Sequence, residues 1–180
     1  MPEFSLNKPR KSHPFYTLDS FARGYVEAMF FTNGDIGDEK REDRLNEMGV
    51  ERLTRKSVEA IARDCTAFQA NAGPLLAQAY ARDYDESQAG RDFWFTRQGH
   101  GVGYWDRKEL EPDTAEYEAL TDSMVAASKE NTPDRNAAWG KACTARSILK
   151  ESSLGALLTK AAKGFGECNP EAWRGWIHYH

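Results

Sequence analysis

Residues 92–107 read DFWFTRQGHGVGYWDR, a run of aromatic residues broken by three glycines and framed by Asp92 and Arg107. Phe93 and Phe95 alternate with Asp92, Trp94 and Thr96, and Val102, Tyr104 and Asp106 alternate with Gly103 and Trp105. Alternation with period two is the pattern of a half-buried strand. Gln98-Gly99-His100-Gly101 supplies two glycines able to take positive φ, which a tight turn requires. The stretch therefore predicts a β-hairpin over about 92–107. Phe93 and Phe95 would face the core, and Trp94, Arg97, His100 and Arg107 would be at least partly exposed.

Working outward, the flanking patterns are helical. Asp19 or Ser20 can cap a helix carrying Phe21, Tyr25, Ala28 and Met29, which stops before Asn33-Gly34. Val58, Ile61, Ala62, Cys65 and Phe68 recur at steps of three and four, so a second helix starts near Ser57 and breaks at Gly73-Pro74. Pro74 suits the first turn of a further short helix with Leu76 and Ala79. Asp113 with Glu116 has the spacing of a capping box for a helix through Tyr117, Leu120 and Met124. Another helical pattern carries Trp139, Ala142, Cys143 and Leu149, and a last stripe runs from Leu154 to Phe165. Trp173 to Tyr179 can fold into a second short hairpin about Arg174-Gly175. Residues 35–51 lack periodicity and read as a surface loop with one helical turn near 45–48. The chain thus divides into a flexible arm over 1–18, adding little to the core, and one α+β domain over 19–180. A helical insertion occupies about 109–153, and helices cover one face of a small antiparallel sheet.

A length of 180 residues fits a single core and leaves no room for a second. No apolar run approaches the roughly 20 residues of a membrane span, and Met1 to Tyr16 lacks the apolar segment of a secretory signal, so a cytosolic location is expected. Cys65, Cys143 and Cys168 are odd in number and far apart, which implies buried free thiols rather than a disulfide framework or a paired-cysteine zinc site. The net charge of −4 is unevenly spread. Residues 135–163 carry Arg135, Lys141, Arg146, Lys150, Lys160 and Lys163 against Glu151 alone, a pattern that more often marks a solvated face than a phosphate site.

The run Asp92 to Arg107, with an upstream GYVEAMFF, a second helix reading ARDCTAFQAN and a downstream AAKGFGE, resembles a family of uncharacterised bacteriophage proteins sharing the pattern DFWxTRxGHGxGxWDR. The resemblance covers 92–107 without interruption, and its order of elements extends over most of 20–179. It implies a phage origin, and hence the cytoplasm of an infected host, without implying an activity. The stretch from Glu109 to Leu154 is longer than the family's spacing, and Asn169-Pro170 stands where members run directly into a strand.

A catalytic use of the motif would take His100 as general acid or base, Asp92 or Asp106 to orient it, and Arg97 or Arg107 to hold an anion, as in phosphodiester hydrolysis. On a hairpin His100 sits at the tip and the aspartates at the far end, roughly 15–20 Å away. The chemistry is therefore set behind binding, and no catalytic residue is assigned. GHGVG lacks the strand-to-helix setting and the Lys-Ser or Lys-Thr of a phosphate loop. Asp35, Asp38, Glu39 and Asp43 do not match a calcium loop, and His178 and His180 have no second ligand pair, so neither a metal nor a cofactor is assigned. The favoured reading is an accessory binding protein that modulates a host or phage protein. Trp94, Arg97, His100, Tyr104, Trp105 and Arg107 form its recognition face, because interface hot spots favour Trp, Tyr and Arg. A nucleic-acid partner, with bases stacked on the same aromatics, is the alternative, and no membrane partner is expected.

Overall fold

The stretch expected to form a hairpin is a helix followed by a tight turn. The computed structural model describes residues 9–32, 49–129 and 135–179. Among these, α1 spans Ser20–Thr32, α2 Arg55–Asn71, α3 Gly73–Tyr80, α4 Glu86–Arg97, α5 Ala115–Lys129, α6 Arg135–Glu151 and α7 Leu154–Lys163. They precede a two-stranded antiparallel sheet of β1, Glu171–Trp173, and β2, Trp176–His178. The architecture is α+β, dominated by helix.

Local chemistry explains why 86–97 is helical. The Asp85 side chain accepts a hydrogen bond from the Gln88 amide at 2.7 Å and opens α4. Gly99, at φ +69°, closes it. The His100 amide returns to the Phe95 carbonyl and the Gly99 amide to the Thr96 carbonyl, which is the Schellman arrangement. Between the two caps, every residue from Asp92 to Arg97 is buried. A helical segment buried on all sides shows no 3.6-residue stripe, so the apparent alternation of 92–96 carries no information about its period. The supposed return strand is instead a single 3-10 turn, Tyr104–Asp106.

Helix α4 lies directly against α1. A Cβ placed on Gly90 would stand 1.8 Å from the Phe21 carbonyl oxygen, and one on Gly24 would stand 2.1 Å from that of Ser87. The two backbones therefore touch where neither chain has a side chain. Around this crossing the aromatics close the core: Phe93 stacks on Phe68 with centroids 4.1 Å apart, and Tyr25 meets Trp94 edge-on at 5.2 Å. Phe93 and Phe95 are in the core, as the sequence indicates, although on a helix rather than on one face of a strand.

The other helices follow their patterns. Asp19 caps α1 through the Ala22 amide, and Thr54 caps α2 through that of Ser57. The cap of α5 is Thr114, which receives the Tyr117 amide, and not Asp113. The C-terminal hairpin forms where expected, with Arg174 (φ 50°) and Gly175 (φ 79°) at its turn. Positive φ at both central residues is the type I′ geometry that matches strand twist. Ile177 is fully buried and bridges to Leu53, while the Ile177 carbonyl accepts from the Thr54 amide and the Ser57 hydroxyl. Among the described residues the sheet is thus this hairpin alone, docked against the start of α2, and not a platform beneath the helices. Residues 9–18 also depart from expectation, because Phe15 and Leu18 are buried in the core. The expected loop over 35–51 falls largely outside the described residues, as does the helical turn at 45–48.

Candidate functional site

The charged members of the motif point inward. Asp92 is fully buried at the middle of α4, and its carboxylate accepts from Arg107 Nε at 2.6 Å, from Arg107 Nη2 and from the Tyr84 hydroxyl at 2.5 Å. This fork-on-carboxylate geometry fixes the turn after α4 against the helix that precedes it. The Asp92 hydrogen bonds raise the Arg107 pKa, and burial next to Asp92 raises that of the Tyr84 phenol.

Arg97 is the hub of a second network. Its Nη1 donates to Asp64 Oδ2 at 2.9 Å, to the Tyr25 hydroxyl at 2.9 Å and to the Tyr179 hydroxyl at 2.8 Å. Its Nε and Nη2 donate to the carbonyls of Gly166 and Phe165. The Tyr25 and Tyr179 hydroxyls are 2.8 Å apart, Tyr179 also donates to Asp64, and the Cys168 thiol lies 3.3 Å from the Tyr25 oxygen. One guanidinium thereby joins α4 to α1, α2, the segment after α7 and the residue after β2. Burial, with Tyr179 and Cys168 alongside, raises the Tyr25 phenol well above its ordinary pKa despite the opposing charge of Arg97. The phenols are therefore neutral hydrogen-bonding groups at physiological pH.

These contacts correct the expected recognition face. Trp94 is 1% exposed and donates its indole N–H to Thr32 Oγ1 at 2.6 Å. Tyr104 is fully buried with its hydroxyl on the Ala89 carbonyl, and Arg97 is buried in its network. Side chains so enclosed present nothing to a partner. His100 is half-buried, with its ring edge-on to Phe95 at 6.0 Å, and Arg107 is held by Asp92. Trp105 alone of the six is exposed, at 42%. The orienting role considered for Asp92 toward His100 is also displaced, since both carboxylate oxygens already serve Arg107 and Tyr84. Sequence reasoning missed Tyr25, Asp64 and Tyr179 as partners of Arg97, and Cys168 as a neighbour of the Tyr25 hydroxyl, and no local pattern marks them.

Exposed apolar side chains lie elsewhere. On the expected helical insertion, Val125 of α5 and Trp139 and Ile148 of α6 are exposed, Ile148 to 62%. Ala142 is the one buried residue among those of α6 whose burial is described. The hairpin of α5 and α6 is held at its base by Glu111, whose carboxylate accepts from Arg146 Nη2 and Lys150 Nζ, each at 3.2 Å. Beside it a cleft of about 500 Å³ is lined by Arg82, Lys108, Glu109, Tyr117, Glu118 and Asp122. Acidic residues in the first turn of α5 also complement the helix dipole, which accounts for their presence there.

Among the described residues no cluster of three or more His, Cys, Asp and Glu side chains is arranged to hold a metal ion, and no helix is long and apolar enough to cross a membrane. Asp35, Asp38, Glu39, Asp43 and His180 lie outside those residues. All three cysteines are free thiols, with Cys65 and Cys168 buried and Cys143 half-buried. Comparison with protein-family models, with curated proteins and with solved structures finds no match to this chain.

Proposed function

We propose that the chain is a non-enzymatic binding protein, an accessory factor made in the host cytoplasm during phage infection, and that it engages a host or phage protein through the α5–α6 hairpin. The observation that carries this reading is the surface of α6. Trp139 and Ile148 lie nine residues apart, about half a turn around the helix, and both are exposed. A surface helix normally confines its apolar residues to one stripe, so apolar side chains on two sides point to a second covering layer. Tryptophan is also the residue most enriched at the energetic centre of protein interfaces. The phage setting rests on the resemblance of residues 92–107. A motif whose Asp and Arg side chains are spent on internal pairing suits a scaffold better than a hydrolase.

The test is affinity capture from infected-host lysate with the wild-type chain and with Trp139→Ala/Ile148→Ala, both checked for equal thermal stability. One partner should be retained by the wild type and lose at least about tenfold in the variant, since a hot-spot residue contributes ~2 kcal/mol or more. Equal recovery by both chains, or no specific partner for the wild type, would overturn the reading.

A further inference from the structure

The C-terminal hairpin carries an aromatic platform that neither the fold nor the α5–α6 surface uses. Its register pairs Glu171 with His178, Ala172 with Ile177 and Trp173 with Trp176. Residues directly opposite share a face. Ala172 and Ile177 accordingly turn to the protein, and the outer face presents Trp173, Trp176 and His178 with Glu171. Trp173 is 57% exposed and Trp176 46%, and the Trp173 and His178 rings meet edge-on at 5.8 Å. Three aromatic rings thus share one strand surface, with the planes of Trp173 and His178 steeply inclined to each other at 68°.

Cations border this platform. The Arg174 guanidinium lies over one face of the Trp173 ring, 4.4 Å from its centroid, and that of Arg52 lies over the Trp176 ring at 5.6 Å, so a base would stack on the opposite indole faces. Arg55 and Lys56 are exposed on the adjoining first turn of α2, which is fastened to β2 through the Ile177 carbonyl. Of the nearby acids, Glu51 is engaged by Arg10 at 2.7 Å, Glu59 lies one turn beyond Arg55 on α2, and Glu171 belongs to the face itself. A chain of net charge −4 has therefore gathered positive charge around its exposed indoles.

We infer that this face binds single-stranded nucleic acid, with bases stacked on Trp173 and Trp176 and phosphates drawn to Arg52 and Arg174. The chemistry selects this occupant. An acidic polypeptide would satisfy the guanidiniums and leave the indole surfaces idle, whereas a nucleotide strand offers an anion and an unstacked π face together at every repeat. A duplex keeps its bases stacked on one another and cannot use the rings. Recognition of this kind tolerates any sequence, because every base has a π face. The inference stands on different residues from the α5–α6 reading, and either can fail alone.

The test is fluorescence anisotropy of a labelled thymidine oligonucleotide of about a dozen residues, titrated with the full chain at about 20 mM and about 200 mM salt. The single strand should bind at low salt and weaken as salt rises. Trp173→Ala/Trp176→Ala should lose at least about tenfold in affinity, while Trp173→Phe/Trp176→Phe, which keeps a ring at each position, should retain most of it. Arg52→Gln should weaken binding and flatten the salt dependence. Absence of binding at low salt, equal binding by the Ala pair, or equal affinity for a duplex of the same length would overturn the proposal. So would binding of labelled polyglutamate with no binding of the oligonucleotide, which would assign the face to an acidic polypeptide.

Discussion

Asp92 shows what a buried carboxylate costs when its partner is removed and what it contributes when the partner is present. Both of its oxygens are satisfied by Arg107 and Tyr84, and its side chain has no access to water. Substitution Asp92→Ala strands the largely buried Arg107 guanidinium, so it should destabilise by about 3–5 kcal/mol in chemical denaturation. Replacing the pair together, Asp92→Leu/Arg107→Met, removes both charges and should recover a large part of that loss. A double variant as unstable as the single one would show that the Tyr84 hydrogen bond and the local packing, rather than the stranded charge, dominate. Asp92 and Arg107 were visible in the sequence as the ends of one motif. Their contact was not, because it depends on α4 being a helix whose following turn doubles back.

At the scale of elements, what could be read from the sequence divides by environment. Helices with one wet side, such as α2 with Val58, Ile61, Cys65 and Phe68 buried, announce themselves through spacing. The Arg174-Gly175 turn announces its hairpin through backbone chemistry. The second half of α4, Asp92 to Arg97, does neither, because contact with α1 and the aromatic core has removed its polar face there. Its remaining signals were the Asp85 cap and Gly99, and Gly99 serves a helix end as readily as a hairpin turn. Gly90 is the point where two helix backbones meet. Gly90→Ala should therefore destabilise by about 2 kcal/mol or more through overpacking, even though alanine is favoured over glycine by about 1 kcal/mol within a helix. A variant more stable than the wild type in thermal unfolding would mean that the α1–α4 backbones do not approach this closely. The Arg97 network lay beyond sequence reasoning for a different reason, since Arg97 reaches Tyr25 and Tyr179 from 72 and 82 positions away.

Across the whole molecule, buried phenols set an alkaline limit on stability. Burial raises the pKa of Tyr25, Tyr104 and Tyr179, and raises that of the half-buried Tyr80 to about 12. Unfolded tyrosine ionises near pH ~10. Above that pH the unfolded chain sheds protons that the folded chain retains, so their contribution is complete below ~10 and declines as pH rises toward the folded-state values. Denaturation midpoints should fall steeply above pH ~10, and Tyr179→Phe should shift the onset upward relative to its own neutral-pH stability. A flat profile between pH ~9 and ~11 would contradict the burial of these hydroxyls. The Tyr25–Tyr179 contact has a further consequence during synthesis. A ribosome delivers the chain from its amino end, and α1 leaves the exit tunnel long before the hydroxyl that must pair with it. Until Tyr179 has cleared the exit tunnel, the Arg97 guanidinium lacks one of its acceptors and the Leu53 edge lacks its strand. Nascent chains stalled before residue 170 should therefore remain sensitive to protease, and resistance should appear in a single step once the hairpin emerges, making the last strands a checkpoint on the maturation of everything translated before them.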